Sequence, residues 1–116
     1  MNFARKKCIP CEDGTSPLAS HEVENYMKEL AQGWEVADDK KIRKEFSFKD
    51  FVQAMAFVDA VADIAESEGH HPDIYIRYNK VGIELWTHAI GGLSENDFIV
   101  AAKIEEMLVL RSKFSV

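Results

Sequence analysis

The fold of this chain is decided by residues 73–88, which read DIYIRYNKVGIELWTH. Apolar and polar side chains alternate on both sides of the polar Asn79-Lys80 pair, a pattern typical of two strands joined by a tight turn. The first strand carries on one face Ile74, Ile76 and Tyr78. On the second strand, Ile83, Leu85 and Thr87 lie opposite to Glu84, Trp86 and His88. The stretch therefore predicts a β-hairpin with a histidine at its end.

A similar alternation lies upstream, over residues 34–48. The runs WEVAD and KIRKEFSF are separated at Asp38-Asp39, and aspartate is frequent in turns. In the second run the polar face has Lys41, Arg43, Glu45 and Ser47, and the apolar face has Ile42, Phe46 and Phe48. This pattern predicts another hairpin with one buried face.

Two segments, one on each side of the hairpin at residues 34–48, have helical spacing instead. The first follows Ser20 and ends before Gly33, with apolar positions at Val23, Tyr26, Met27 and Leu30. The second covers residues 50–68, and Gly69 is the residue expected just past its C-terminus. Its predicted apolar stripe consists of Phe51, Met55, Val58, Ala62 and Ala65, widened by Val61 and Ile64.

The last predicted helix begins at Ser94, with apolar positions at Phe98, Ala101, Ala102, Ile104 and Leu108. The element order is thus α-β-β-α-β-β-α, which predicts an α+β fold in which helices cover one face of an antiparallel sheet. Residues 1–17 have no periodicity and are predicted to form an N-terminal arm. Residues 18–116 are predicted to form a single domain.

Composition limits the classes of partner. The formal net charge is −6, which argues against a nucleic acid or a membrane surface held by general phosphate attraction. No apolar run approaches the roughly 18 residues of a membrane span, and the opening MNFARKKCIPCEDG lacks the apolar stretch of a secretory signal. A cytoplasmic location is therefore expected.

The two cysteines, Cys8 and Cys11, form a lone C-x-x-C in the arm. This spacing suits half of a zinc site, a redox pair, or two thiols without a chemical role. A cytoplasmic location favours reduced thiols.

Three of the four histidines, His70, His71 and His88, lie at the two ends of the hairpin at residues 73–88, which folds these ends toward each other. Imidazole has a reference pKa of about 6.5 and suits general acid and base chemistry. A metal site would use similar residues, but neighbours in extended chain point to opposite sides, so His70 and His71 are poorly placed to bind one ion. In the simplest alternative, His70 caps the preceding helix and His71 is solvated.

Four further residues are candidates for supporting roles. Asp97 is either the acid of a capping box that starts at Ser94 or a carboxylate that orients an imidazole, and both roles are compatible. Glu66 is by default a solvated acid. Trp86 is either a packing residue or a stacking surface for a flat ligand, and Thr87 precedes His88 directly.

These residues together resemble a known family. The resemblance is carried by Glu66, by His70-His71-Pro72, by Tyr78 in YNKV, by Thr87-His88, and by GLSEND over residues 92–97. It covers residues from about 18 onward. The family that the chain resembles is that of the pterin-4a-carbinolamine dehydratases, also called dimerization cofactors of a homeodomain transcription factor.

The resemblance implies a four-stranded antiparallel sheet with helices on one side and a homodimer or homotetramer. It implies a lyase that removes water from 4a-hydroxytetrahydropterin to give the quinonoid dihydropterin. Such a dehydratase belongs to tetrahydrobiopterin metabolism, where it recycles the cofactor of aromatic amino acid hydroxylases. No cofactor is implied, since no electrons move between protein and substrate.

The resemblance also implies residue roles. His70 and His88 would exchange protons with the hydroxyl and the ring nitrogen, and His71 would position the pterin. Asp97 would orient an imidazole, and Glu66 would engage the pterin edge or a histidine. The alternative function is a protein-interaction module that acts as a coactivator, and a third hypothesis is zinc held by the two cysteines and histidines.

Overall fold

The computed structural model describes residues 2–10 and 15–110. Its helices are α1 (Ser20–Met27), α2 (Phe51–Glu68) and α3 (Glu95–Leu110), and its strands are β1 (Glu35–Ala37), β2 (Lys41–Ser47), β3 (Asp73–Arg77) and β4 (Lys80–Leu85). Short 3-10 helices occur at Phe3–Arg5 and His88–Ile90. The predicted order of helices and strands is confirmed.

The four strands form one antiparallel sheet in the order β1-β2-β4-β3. One face is buried under the helices, through Ile42, Phe46, Val81, Ile83 and Leu85. The opposite face carries paired polar residues such as Arg43 and Glu84. This arrangement confirms the α+β class with helices on one face of the sheet.

Both hairpin turns use the left-handed backbone region. Asp38 and Asp39 have φ values of 55° and 56°, which aspartate tolerates better than most residues and which match the twist of a tight hairpin. In the second hairpin Arg77 pairs with Lys80, so the turn is Tyr78-Asn79, one residue before the predicted position. Tyr78 has a φ of 54°.

The ends of α2 agree with the sequence prediction. The Asp50 side chain accepts a hydrogen bond from the Gln53 N–H at 2.9 Å, and Gly69 ends the helix in the left-handed conformation with a φ of 64°. Because Gly69 stops the helix, the chain turns directly into His70 and β3.

The predicted buried stripe of α2 is partly wrong: Val61 and Ala65 are buried, and Val58 and Ile64 pack against the core, but the rest of the stripe does not match the buried face. The residues that the helix buries are Ala54, Phe57, Ala60, Val61 and Ala65. Phe51 and Ala62 are exposed, and Met55, Val58 and Ile64 are half-buried. Most positions from 51 to 65 are apolar, so periodicity alone could not identify the face that meets the sheet.

The N-terminal segment lies against the domain. The ring of Phe3 is buried and lies 5.2 Å from the Tyr26 ring and 5.8 Å from the Phe98 ring, measured between centroids. Lys103 donates a hydrogen bond to the Ala4 carbonyl at 2.9 Å. Cys11, half of the predicted C-x-x-C pair, falls outside the described residues, and the division at residue 17 stays a prediction.

Within residues 2–10 and 15–110, no helix combines the length and apolarity needed to cross a bilayer.

Candidate active site

A cavity of about 650 Å³ opens where α2 ends and β4 ends. Its lining includes His70, His71, Trp86, Thr87 and His88. The second hairpin brings these residues together, because β3 and β4 pair along their length and return the chain to the end of α2. A cavity of this size accommodates a small bicyclic ligand.

His70 is held by a buried acid. Its Nε2 atom lies 2.6 Å from Oδ1 of Asp97, whose side chain is 0% exposed. A carboxylate oxygen only accepts hydrogen bonds, so Nε2 is the donating nitrogen and Nδ1 carries the lone pair. The contact fixes both the ring orientation and the tautomer. The His70 side chain is therefore not a helix cap, although its backbone N–H bonds to the Ala65 carbonyl.

The second carboxylate oxygen of Asp97 accepts two further hydrogen bonds. Oδ2 accepts the Thr87 hydroxyl at 2.9 Å and the Ser94 backbone N–H at 3.0 Å. The Thr87 Oγ1 atom also lies 2.7 Å from the Ser94 Oγ atom. The Ser94 contact is half of the predicted capping box, so Asp97 ties the start of α3 to the end of β4 while it orients His70.

His71 is also paired with an acid, but at the surface. Its Nε2 atom lies 2.5 Å from Oε2 of Glu66, and the two side chains are 60% and 78% exposed. Glu66 lies in the last turn of α2 and does not line the cavity. Its described contact is therefore with a histidine, one of the two partners predicted for it.

His88 lies beyond the strand, in the 3-10 helix at His88–Ile90. Its ring is stacked on the Trp86 ring at 3.9 Å between centroids, with 27° between the planes. The Lys40 ammonium lies 5.0 Å from the centre of the same indole. Trp86 therefore supports a histidine in this structure.

Sequence reasoning missed one side of the cavity, which is formed by Cys8, Ile9, Pro10, Glu68 and Asn96. The arm has no periodicity that could have located it. Glu68 is two residues before His70 and Asn96 is next to Asp97, so both lie inside the motifs that were quoted but carry no chemical pattern of their own.

Glu68 is an ionisable group buried beside the cavity. Burial alone would raise the pKa of its carboxyl group, but the hydrogen bond from the Cys8 N–H and the charges of Lys103 and Lys7 outweigh burial and lower that pKa. Cys8 responds in the opposite direction, since burial and the negative charge of Glu68 raise the pKa of its thiol to about 12. The thiol is therefore protonated and weakly nucleophilic at neutral pH.

Across the part of the chain that the structure describes, no group of three or more His, Cys, Asp or Glu side chains is arranged to hold a metal ion. The zinc hypothesis also requires Cys11, about which the structure gives no information.

The chain matches known proteins over most of its length. A family profile described as "Pterin 4 alpha carbinolamine dehydratase" matches residues 16–107. The chain belongs to this family. The match begins near the end of the predicted arm and includes all seven predicted site residues.

Curated relatives of this pterin-4a-carbinolamine dehydratase family member match over almost their whole length. A protein of Nitrosomonas eutropha named "Putative pterin-4-alpha-carbinolamine dehydratase" is 53% identical over 93% of this chain and 95% of its own. A protein of Alkaliphilus metalliredigens with the same name is 47% identical over 90% of this chain and 95% of its own.

Two solved structures are also similar to this family member. A "transcriptional coactivator/pterin dehydratase" from Brucella melitensis is 33% identical, with a TM-score of 0.74 over 79% of this chain and 98% of its own. A "pterin dehydratase-like protein" described as a RuBisCO assembly factor in the alpha-carboxysome is 27% identical, with a TM-score of 0.56 over 66% of this chain and 89% of its own. The shared fold thus occurs in proteins with different described roles.

Proposed function

We propose that this protein dehydrates 4a-hydroxytetrahydropterin to the quinonoid dihydropterin in the cytoplasm, and so recycles the pterin cofactor of aromatic amino acid hydroxylases. The observation that carries the proposal is the convergence of His70, His71 and His88 on one cavity. Family membership and the names of the curated relatives support the same reaction.

The chemistry needs an acid and a base near one carbon. Hydroxide is a poor leaving group, so a protonated imidazole that delivers a proton as the C4a–O bond breaks allows water to leave instead. The lone pair of nitrogen 5 then forms a double bond to C4a, and a neutral imidazole accepts the proton from nitrogen 5. One proton is given and one is taken, so the protein undergoes no net change.

The contacts of His70 favour the role of base. Asp97 receives the Nε2 proton of His70 and leaves Nδ1 able to accept a proton, and the same carboxylate stabilises the imidazolium that results. His88, supported on the Trp86 ring, is then the acid that protonates the departing hydroxyl. His71, which is paired with Glu66, holds the pterin from the exposed side of the cavity.

The assignment is tested by single alanine variants of His70 and His88 in a dehydration assay with freshly generated 4a-hydroxytetrahydropterin. Each variant is expected to lose about 10²- to 10⁴-fold in the enzymatic rate, the usual contribution of a positioned acid or base. His21→Ala is the matched control, because His21 is an exposed histidine on α1 that does not line the cavity. Near-normal turnover in both His70→Ala and His88→Ala would refute the assignment.

A second candidate function is that of a protein-interaction module, the coactivator alternative. It is favoured by the roles named for the two solved relatives and by the exposed apolar side chains Phe51 and Val52 on α2. The same surface could serve the homodimer or homotetramer that we also propose, whose size light scattering would measure. Because Phe51 and Val52 are distant in sequence from the histidines, Val52→Asp is expected to weaken association and to leave dehydration by each subunit intact.

A further inference from the structure

Part of the cavity lining comes from outside the segment that the family profile matches. Cys8, Ile9 and Pro10 line the cavity, whereas the family match begins at residue 16. The Brucella melitensis structure is matched over 98% of its own length by only 79% of this chain. Cys8, Ile9 and Pro10 therefore lie outside the segment that the family profile matches and reach the site where the chemistry is expected.

The arm is fastened at this point by the side chain of Asn96. Its Oδ1 atom accepts the Ile9 N–H at 3.0 Å, and its Nδ2 atom donates to the Ile9 carbonyl at 2.6 Å. One side chain thus satisfies both backbone groups of Ile9, as a neighbouring strand would. Asn96 is buried and directly precedes Asp97, so consecutive residues of α3 hold the arm and the ring of His70.

Glu68 provides a second attachment. Its Oε1 atom accepts the Cys8 N–H at 2.9 Å, and its Oε2 atom lies 3.6 Å from the Lys103 ammonium. The Glu68 side chain is only 5% exposed, so the Cys8 amide is bonded to a desolvated carboxylate. Residues 8 and 9 are therefore fixed from two different helices, α2 and α3.

The side chain of Ile9, whose backbone these contacts fix, is apolar and exposed to solvent. Ile9 is 73% exposed although it lines the cavity. Two backbone attachments that fix an isoleucine at the edge of a cavity are explained when a ligand covers that side chain and removes its surface from water. Cys8, whose thiol is protonated at neutral pH, offers no acid or base, and the side chains of Ile9 and Pro10 have no titratable group. The contribution of these three arm residues is therefore to binding and not to proton transfer.

We propose that Cys8, Ile9 and Pro10 form a fixed wall of the pterin cavity, with Ile9 packing on the bound substrate and Asn96 as the positioning residue that holds the wall. The inference rests on the proposed function, because the ligand is taken to be the pterin. The preformed wall lowers the ordering cost of binding, so its loss weakens binding and leaves the proton-transfer groups in place.

The test compares variants by steady-state kinetics and by equilibrium binding of fully oxidised biopterin, which has no 4a-hydroxyl and cannot be dehydrated. Asn96→Ala is expected to raise KM and the biopterin Kd by about 5- to 30-fold, with kcat changed less than about threefold. Asn96→Asp keeps an acceptor for the Ile9 N–H but places a buried carboxylate oxygen against the Ile9 carbonyl, so its Kd should rise at least as much as that of Asn96→Ala.

Ile9 tests the wall without involving the fold, since its side chain is exposed. Ile9→Ala is expected to raise Kd about 3- to 10-fold, and Ile9→Val should restore most of the affinity. Arg5→Ala is the matched control in the same arm, because Arg5 pairs with Glu106 at 3.0 Å and does not line this cavity. Its Kd should equal that of wild type.

The outcomes separate this inference from the proposed function. Wild-type protein that neither binds biopterin nor dehydrates the substrate overturns both. Wild-type activity combined with an unchanged Kd in Ile9→Ala and in Asn96→Ala overturns the wall alone, and so does a loss of kcat at constant Kd. If Asn96→Ala does not fold, the Ile9→Ala and Ile9→Val pair decides.

Discussion

His70 and His71 are neighbours in sequence, and each is bonded to a carboxylate, at 2.6 and 2.5 Å, but the two pairs are in opposite environments. The His70 and Asp97 side chains are 12% and 0% exposed, whereas His71 and Glu66 are 60% and 78% exposed. Water screens the outer pair and allows both side chains to move, so the pair contributes little to the free energy of unfolding. The inner pair is desolvated and anchored by other donors, and removing one member leaves buried groups unsatisfied.

The largest expected effect comes from Asp97→Asn. An amide cannot accept from His70, Thr87 and the Ser94 N–H together, so we expect a loss of about 2–4 kcal/mol in the free energy of unfolding. Because His70 also loses its orienting acceptor, we expect kcat to fall by about 10²- to 10⁴-fold. Urea denaturation and the dehydration assay measure the two effects. A stable and active variant would show that burial does not distinguish the two pairs.

Thr87→Val is expected to have the next largest effect. Valine keeps the shape of threonine but removes the hydroxyl that donates to Asp97 and contacts Ser94. The unsatisfied oxygens should cost about 1–3 kcal/mol of stability. Asp97 keeps its contact with His70, so kcat should fall much less than in Asp97→Asn. Equal losses of kcat in the two variants would mean that Thr87 acts on the substrate directly.

Glu68, on α2 two residues after Glu66, is a buried acid like Asp97 and extends the comparison. Its pKa is lowered in the folded protein, so its ionised form stabilises the fold at neutral pH, and this contribution is lost as the pH falls through the lowered pKa. Glu68→Gln should cost about 1 kcal/mol at pH 7, and the difference from wild type should shrink between about pH 5 and pH 3. Denaturation curves at several pH values check this, and a difference that grows toward low pH would contradict it.

The smallest effect is expected for Glu66→Gln. Both partners of this pair are exposed, so the change in unfolding free energy should stay within about 0.5 kcal/mol. The glutamine oxygen can still accept from His71, and kcat/KM should fall less than about tenfold. A loss as large as that of Asp97→Asn would show that pterin binding desolvates the outer pair.

The hairpins and the helix end that depend on neighbouring residues were predictable from the sequence. The hairpins follow from alternation and from the Asp38-Asp39 turn, and Gly69 ends α2 as expected. These features depend on residues close in sequence, so their patterns can be seen without the fold. The convergence of His70 and His88 followed from the same hairpin, which returns the chain to the end of α2.

The features that depend on distant residues were not predictable. The buried face of α2 is chosen by the sheet and by α3, and a helix that is apolar around most of its circumference does not specify it. Ile9 and Asn96 meet 87 positions apart, and no local pattern marks an asparagine side chain that bonds to the backbone of an arm. The tautomer of His70 likewise depends on its contact with Asp97; the sequence indicated that Asp97 could orient an imidazole but did not specify which histidine or which ring nitrogen it meets.

Chain order gives the buried Phe3 a consequence for synthesis. Phe3 leaves the ribosome before Phe98, but its ring packs on Phe98, in the last helix of the described structure. The arm therefore cannot dock on Phe98 until α3 has emerged, and a translation product that stops before α3 lacks the side chains that hold Ile9 and His70, although His70, His71 and His88 have been made.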